Sequence, residues 1–172
     1  MIINTNINKN DLVKLNLYVF PRSKTTWISF IVIYLGLFLF LCFKPDFEFV
    51  YKDILFASIT SFINTLVGLT FIFACNLVSV LFMSGDKDGV LGLHKYAIKE
   101  GGLHETTEAN EALIKWAGIS EVIQNNNYIL VQINHYLFHV IPKRDFSEQA
   151  EFEKFGATLR KKVAESAIQG VQ

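Results

Sequence analysis

Few residues in this chain have the types and spacing that chemistry requires. The most suggestive polar group is Lys143-Arg144, directly after Ile141-Pro142. Two adjacent cations at the end of an apolar strand can hold an anionic lipid head group or the acidic motif of a partner protein. They can equally pair with an acid of their own domain, near Asp145 or Glu148, and brace a strand-to-helix corner. The four histidines are His94, His104, His135 and His139. With a tight turn at Glu100-Gly101, His94 falls opposite Thr107 and His104 opposite Ala97. His135 falls in a turn, and His139 shares a strand face with Leu137 and Ile141. No set of three ligands forms, so no metal site is expected. Glu105 and Glu108 are expected to face solvent. Cys42 and Cys75 lie inside apolar runs and are expected to fill helix packing rather than bridge. There is no Cys-x-x-Cys, no phosphate-cradling glycine loop and no Gly-x-Ser-x-Gly. The expectation is a protein without catalytic residues or cofactor.

The stretch from Thr25 to Met83 organises the rest. Of 172 residues, 51% are hydrophobic, and eleven of the sixteen Phe fall in this region. Thr25–Phe43 and Ile54–Met83 carry no Asp, Glu, Lys, Arg or His, and a short charged loop, Lys44–Asp53, separates them. As helices they would be about 28 and 45 Å long, against a hydrocarbon layer of about 30 Å. A transmembrane hairpin of two antiparallel helices is expected, the second tilted or projecting. Its polar and small residues fall at helical spacing: the pairs Asn64/Gly68 and Ser61/Thr65 are four apart and so share a face. Such residues favour close helix packing in lipid, with Gly36 of the first span opposite, or an oligomer seam. Trp27 marks an interface. Residues 1–24 carry four Lys/Arg and one acid, and Lys87, Lys95 and Lys99 follow the second span. Both termini are therefore expected in the cytoplasm. Net charge is zero, and residues 84–172 hold ten Lys/Arg against twelve acids, which argues against nucleic acid as a partner.

Outside the spans the pattern changes. Residues 1–10 are Asn-rich and read as extended or loose. From Asp11, Leu12, Leu15 and Val19 mark a short helix, capped by Asn10 or Asp11 and ended by Pro21. It would pack on the soluble domain or lie on the membrane surface. Ser84–Gly89 reads as a linker. Strands are expected at 94–98, 102–107, 112–116, 119–124, 128–133 and 137–141, with a type I′ turn at Glu100-Gly101 that sets Ile98 opposite Leu103. A final helix from about Ser147 to Glu165 presents Phe152, Phe155, Leu159 and Val163 as one apolar stripe. Asp145 or Ser147 can cap it, and Asp145 with Glu148 has capping-box spacing. The tail, 166–172, is expected to fray. The fold class is thus a membrane α-helical hairpin plus an α+β soluble domain: a small antiparallel sheet or partial barrel, pleckstrin-homology-like, with a C-terminal helix.

Two blocks carry a family resemblance: GLHETTEANEALIKWAGISEVIQNNNYILVQI and HVIPKRDF. They resemble the YcxB-like family of bacterial membrane proteins over about residues 90–165. Gly102–Glu108, Ile114–Trp116, Ile119/Val122, Tyr128–Ile133 and Ile141–Phe146 fit its pattern. The resemblance implies a multi-pass protein of a bacterial inner membrane and brings no catalytic activity with it. Two functional expectations follow. The first is a membrane-anchored, non-enzymatic binding or scaffolding protein. Its cytoplasmic domain would engage a protein partner, its own copies or lipid head groups through Lys143 and Arg144. The alternative is an oligomeric channel or transporter accessory built on the second span.

Overall fold

The computed structural model describes residues 1–83, 89–134 and 137–169. The chain divides into two compact units, Asn16–Phe82 and a second made of Met1–Leu15 with Met83–Gln172.

The apolar unit contains α2 (Lys24–Cys42) and α3 (Tyr51–Phe82). Both are long and apolar enough to cross a membrane by length and composition. Their bounds lie within a few residues of those the charge pattern marks. The seam between them is built from one stripe of α3: Ala57, Ser61 and Thr65 are buried. The Tyr34 hydroxyl lies 2.8 Å from that of Ser58, and Phe30 meets Phe62 edge-on. The expected pair Ser61/Thr65 therefore sits in the seam. Gly36, Asn64 and Gly68 do not. They are exposed, and a Cβ added at Gly36 or Gly68 would meet nothing within 4 Å. The hydroxyls, which are small and can bond to the chain's own carbonyls, allow the close approach instead; Thr65 donates to Ser61 O at 2.8 Å.

The other unit begins with β1 (Ile2–Ile7) and the first turns of α1 (Lys9–Val19). It continues with β2 (Gly92–Lys99), β3 (Gly102–Thr106), β4 (Glu111–Lys115), β5 (Glu121–Gln124), β6 (Tyr128–Gln132), β7 (Phe138–Pro142) and α4 (Gln149–Gln169). Two open antiparallel sheets result, ordered β1-β2-β3-β4 and β5-β6-β7. Ile3, Tyr96 and Leu103 of the first face Ile129, Val131 and Ile141 of the second, as alternation along each strand dictates. Phe152, Phe155 and Leu159 of α4 complete the core, and Val163 packs at its margin, as the stripe predicts.

Several details differ from the sequence reading. The Asn-rich N-terminus is a strand, pairing Ile3 with Tyr96 and Thr5 with His94, because Ile3, Thr5 and Ile7 alternate inward. Asn8 rather than Asn10 or Asp11 caps α1: Asn8 Oδ1 accepts from Asp11 N–H and Asp11 Oδ2 from Asn8 N–H, a reciprocal capping box. Of the two candidates at the start of α4, Asp145 accepts from Asn6 N–H, while Ser147 hydrogen-bonds Glu151. Lys99 pairs with Gly102 and Ile98 with Leu103 as expected, yet neither Glu100 nor Gly101 has a positive φ, so the turn is not type I′. The essential glycine there is Gly102. A Cβ on it would run into the backbone carbonyl of Ile114 on β4. Trp116 leaves the strand for a 3-10 turn, where its indole N–H donates to Glu100 O. The linker residues 84–88, His135 and the extreme tail, 170–172, lie outside the described residues.

These glycines make a paired prediction. Gly102→Ala should destabilise the β-unit by roughly 2 kcal/mol or more, since the obstacle is backbone. Gly36→Ala should cost nothing. Thermal unfolding in detergent, followed by near-ultraviolet circular dichroism, checks both; equal melting of the two variants would contradict the packing described here.

Candidate functional site

Two polar constellations stand out in the β-unit. The first is interior. His94 and Tyr96 of β2 point inward with Glu105 of β3, and His139 of β7 reaches the same place from the facing sheet. All three partners converge on one oxygen: Glu105 Oε1 lies 2.9 Å from His94 Nδ1, 3.1 Å from His139 Nδ1 and 2.7 Å from the Tyr96 hydroxyl. Glu105, expected in solvent, is 7% exposed. The register Tyr96↔Glu105 puts it on the core face of the sheet. Burial pushes its carboxyl up. Hydrogen bonds from His139, His94 and Tyr96 outweigh that and hold it well below the ordinary carboxylate range. Burial and the Glu105 charge push the Tyr96 hydroxyl well up. Both imidazoles are bonded through Nδ1 to the carboxylate itself. Among the described residues no group of three His, Cys, Asp or Glu is placed to hold a metal ion.

The second constellation is a corner. Antiparallel pairing sets Tyr128, at the start of β6, beside Pro142, at the end of β7. The Asn125–Asn127 turn therefore meets Lys143, whose N–H donates to Asn127 O at 2.8 Å. Arg144, next along, turns to α1. Its guanidinium donates to Asp11 Oδ1 at 2.6 Å, Asp11 Oδ2 at 2.7 Å and Asn6 O at 2.6 Å. The Tyr128 hydroxyl donates to Asp11 Oδ1 at 2.9 Å. Asp11 is 1% exposed, whereas the Arg144 side chain is 43% exposed. Burial raises the Asp11 carboxyl, but Arg144, Asn8 and Tyr128 together hold it below its usual value. The bond to Asp11 raises Arg144 further, and burial with that same carboxylate pushes Tyr128 up to about 12. Beside this lock opens a cavity of about 380 Å³ lined by Lys14, Asn126, Asn127, Tyr128, Pro142, Lys143 and Arg144.

Lys143 and Arg144 are thus brought together, but with different work. Arg144 braces the corner through Asp11, an acid much farther away in sequence than Asp145 or Glu148. Its contact with Asp145 is longer, at 3.7 Å. Lys143 lies over the Phe152 ring at 5.9 Å and faces the cavity. Sequence reasoning did not find Lys14, Asn126 and Asn127 as members of this corner. The signal was present for the asparagines: the turn before one strand and the end of the next must be neighbours in an antiparallel pair. Lys14 follows Asp11 by one helical turn and could be placed only once Asp11 was tied to Arg144.

The fold and corner define a small α+β domain of two open sheets and a closing helix, in a chain that also carries two long apolar helices. A protein-family model described as YcxB-like protein matches residues 98–159. That segment, which holds the IPKRDF block and the preceding strands, resembles YcxB-like proteins and spans β3 to β7 and the first half of α4. Asp11, Asn6 and Lys14 lie outside it. Comparison with curated proteins and with solved structures returned no match.

The Glu105 cluster carries a pH prediction. Its folded-state pKa is depressed, so the folded chain binds fewer protons than the unfolded one. The resulting stability is complete above the ordinary carboxylate value of 4.5 and is lost progressively as pH falls below it. Glu105→Gln should remove part of that acid dependence and lower stability at neutral pH by about 1–3 kcal/mol. Urea unfolding of both proteins from neutral pH to about pH 3 measures it; identical pH profiles would contradict the assignment.

Proposed function

We propose that this protein is a non-enzymatic binding protein held in a bacterial inner membrane by α2 and α3. Both termini would be cytoplasmic, and the β-unit would form a pleckstrin-homology-like domain that recognises an anionic lipid head group. One observation carries the reading: the open cavity lined by Lys14, Lys143 and Arg144, with the amides of Asn126 and Asn127 at its rim. Three cations and two amide side chains match a phosphate and its polar substituents. Lys143 and Lys14 supply charge that the rest of the corner does not consume. Arg144 is divided between Asp11 and the cavity, which fixes its guanidinium in place. A membrane hairpin is supported by the hydropathy and length of α2 and α3 and by the Lys/Arg counts at their outer ends. Against catalysis stands the use of Glu105, His94 and His139, which are spent on one another inside the core. Asn64 and Ser79 donate to the carbonyls one turn back, which weakens a polar path along α3.

The test uses the full chain in nanodiscs of phosphatidylcholine, with and without phosphatidylglycerol, read by hydrogen exchange. Phosphatidylglycerol should slow exchange in the segments 126–128 and 142–144. The double variant Lys14→Glu/Lys143→Glu should abolish that difference while the β6 core amides stay protected. No lipid-dependent difference, or one the double variant leaves intact, would sink the lipid reading; cross-linking of the same segments to an acidic protein would replace it with the partner reading.

A further inference from the structure

The sheet edges of the β-unit are not treated alike. β1 lies against β7, and its Asn6 N–H and C=O are taken by Asp145 and Arg144. β5 is flanked by α4, where the Arg160 guanidinium donates to Gln124 Oε1 at 2.8 Å. β4 is the outer strand of its sheet, and among the described residues no backbone hydrogen bond runs from it to anything but β3. The direction of its free groups can be read from the hairpin. Thr107 N–H donates to Asn110 O at 2.8 Å. Antiparallel ladders alternate, so Ala112 and Ile114 direct their backbone groups to β3, while Glu111, Leu113 and Lys115 direct theirs outward. An open row of this kind templates another strand.

We propose that β4 pairs with β4 of a second copy of this chain, antiparallel and centred on Leu113. The sequence of the strand is self-complementary in that register. Glu111 of one copy falls opposite Lys115 of the other, Ala112 opposite Ile114, and Leu113 opposite Leu113. The outward-directed residues face each other, so the Glu111–Lys115 and Leu113–Leu113 pairs exchange both of their backbone hydrogen bonds, and Ala112–Ile114 is the non-hydrogen-bonded pair between them. Side chains agree with the backbone. Glu111, Leu113 and Lys115 share the outer face, where Leu113 is 51% exposed and gains an apolar neighbour. The two charge pairs flank it symmetrically, as an isologous contact requires. Ala112 and Ile114 lie on the core side, so the interior face continues across the junction. An acidic or basic partner strand would oppose one end of β4; a second copy opposes neither, and Glu111 meets Lys115 of that copy while keeping its own contact with His104 at 2.6 Å.

The experiment uses the full chain in native membranes, with Cys42 and Cys75 replaced by Ala. Leu113→Cys should oxidise to a disulfide-linked dimer, because a directly opposed hydrogen-bonded pair has Cα atoms about 5.5 Å apart. Ala112→Cys, whose opposite number is Ile114, should cross-link several-fold less. Adding Lys115→Glu to Leu113→Cys should reduce the dimer several-fold by setting Glu against Glu, and adding Glu111→Lys as well should restore it. Restoration by the charge swap also shows that the loss was not unfolding. Equal cross-linking at the two cysteine positions, indifference to Lys115→Glu, or a disulfide from Leu113→Cys to a different protein would overturn the proposal.

Discussion

The ion pair between Asp11 and Arg144 ties the N-terminal segment to the far end of the β-unit, across 133 residues of sequence. Fixing a strand costs about 1–2 kcal/mol of backbone entropy per residue. β1 must recover that through pairing with β2 and through this corner. A carboxylate buried as deeply as Asp11 is tolerable because its charge is matched and its oxygens accept from Arg144, Tyr128 and Asn8. The arginine is half in water, so the pair is screened on one side and its net contribution is smaller than that of a fully buried pair. Its geometric effect is nevertheless large. It sets the pitch of α1, brings Lys14 to the cavity rim, and immobilises the guanidinium beside Lys143.

The interior Glu105 cluster solves a different problem. Two open sheets must close over a small core, and the apolar contacts of Ile3, Leu103, Ile129 and Ile141 do not by themselves specify how far one sheet slides across the other. A carboxylate on β3 that accepts from β2 and β7 fixes that position, because sliding one sheet over the other would part Glu105 from His139 and leave buried polar groups without a partner. The cluster and the Asp11 corner are thus structural anchors, and Lys14 and Lys143 line the cavity beside the second of them.

The fold was legible where period and length are strong signals. The two apolar runs, the Ile98–Leu103 hairpin register and the Phe152–Phe155–Leu159 stripe follow from spacing alone. β1 was not legible as a sheet member because its partner strand lies beyond the apolar unit, and no local pattern shows which strand it joins. Glu105 was misplaced because charge outvoted alternation: position 105 shares a face with Leu103, and a buried acid is permitted only by histidines that come from two other strands. Size alone marks Gly36 and Gly68 as packing positions, yet the small-residue stripe Ala57–Ser61–Thr65 takes the seam. Half of the candidate site was visible as Lys143-Arg144. The rest required knowing which turn and which helix the sheet places beside them.

The central claim is that Arg144 holds the N-terminal strand in the sheet. Hydrogen exchange of the full chain and of Arg144→Met tests it, since methionine keeps an apolar stem and removes every donor. The account predicts that the amides of residues 2–7 lose protection while those of β6 and β7 keep theirs. Unchanged protection of β1 in the variant would contradict it.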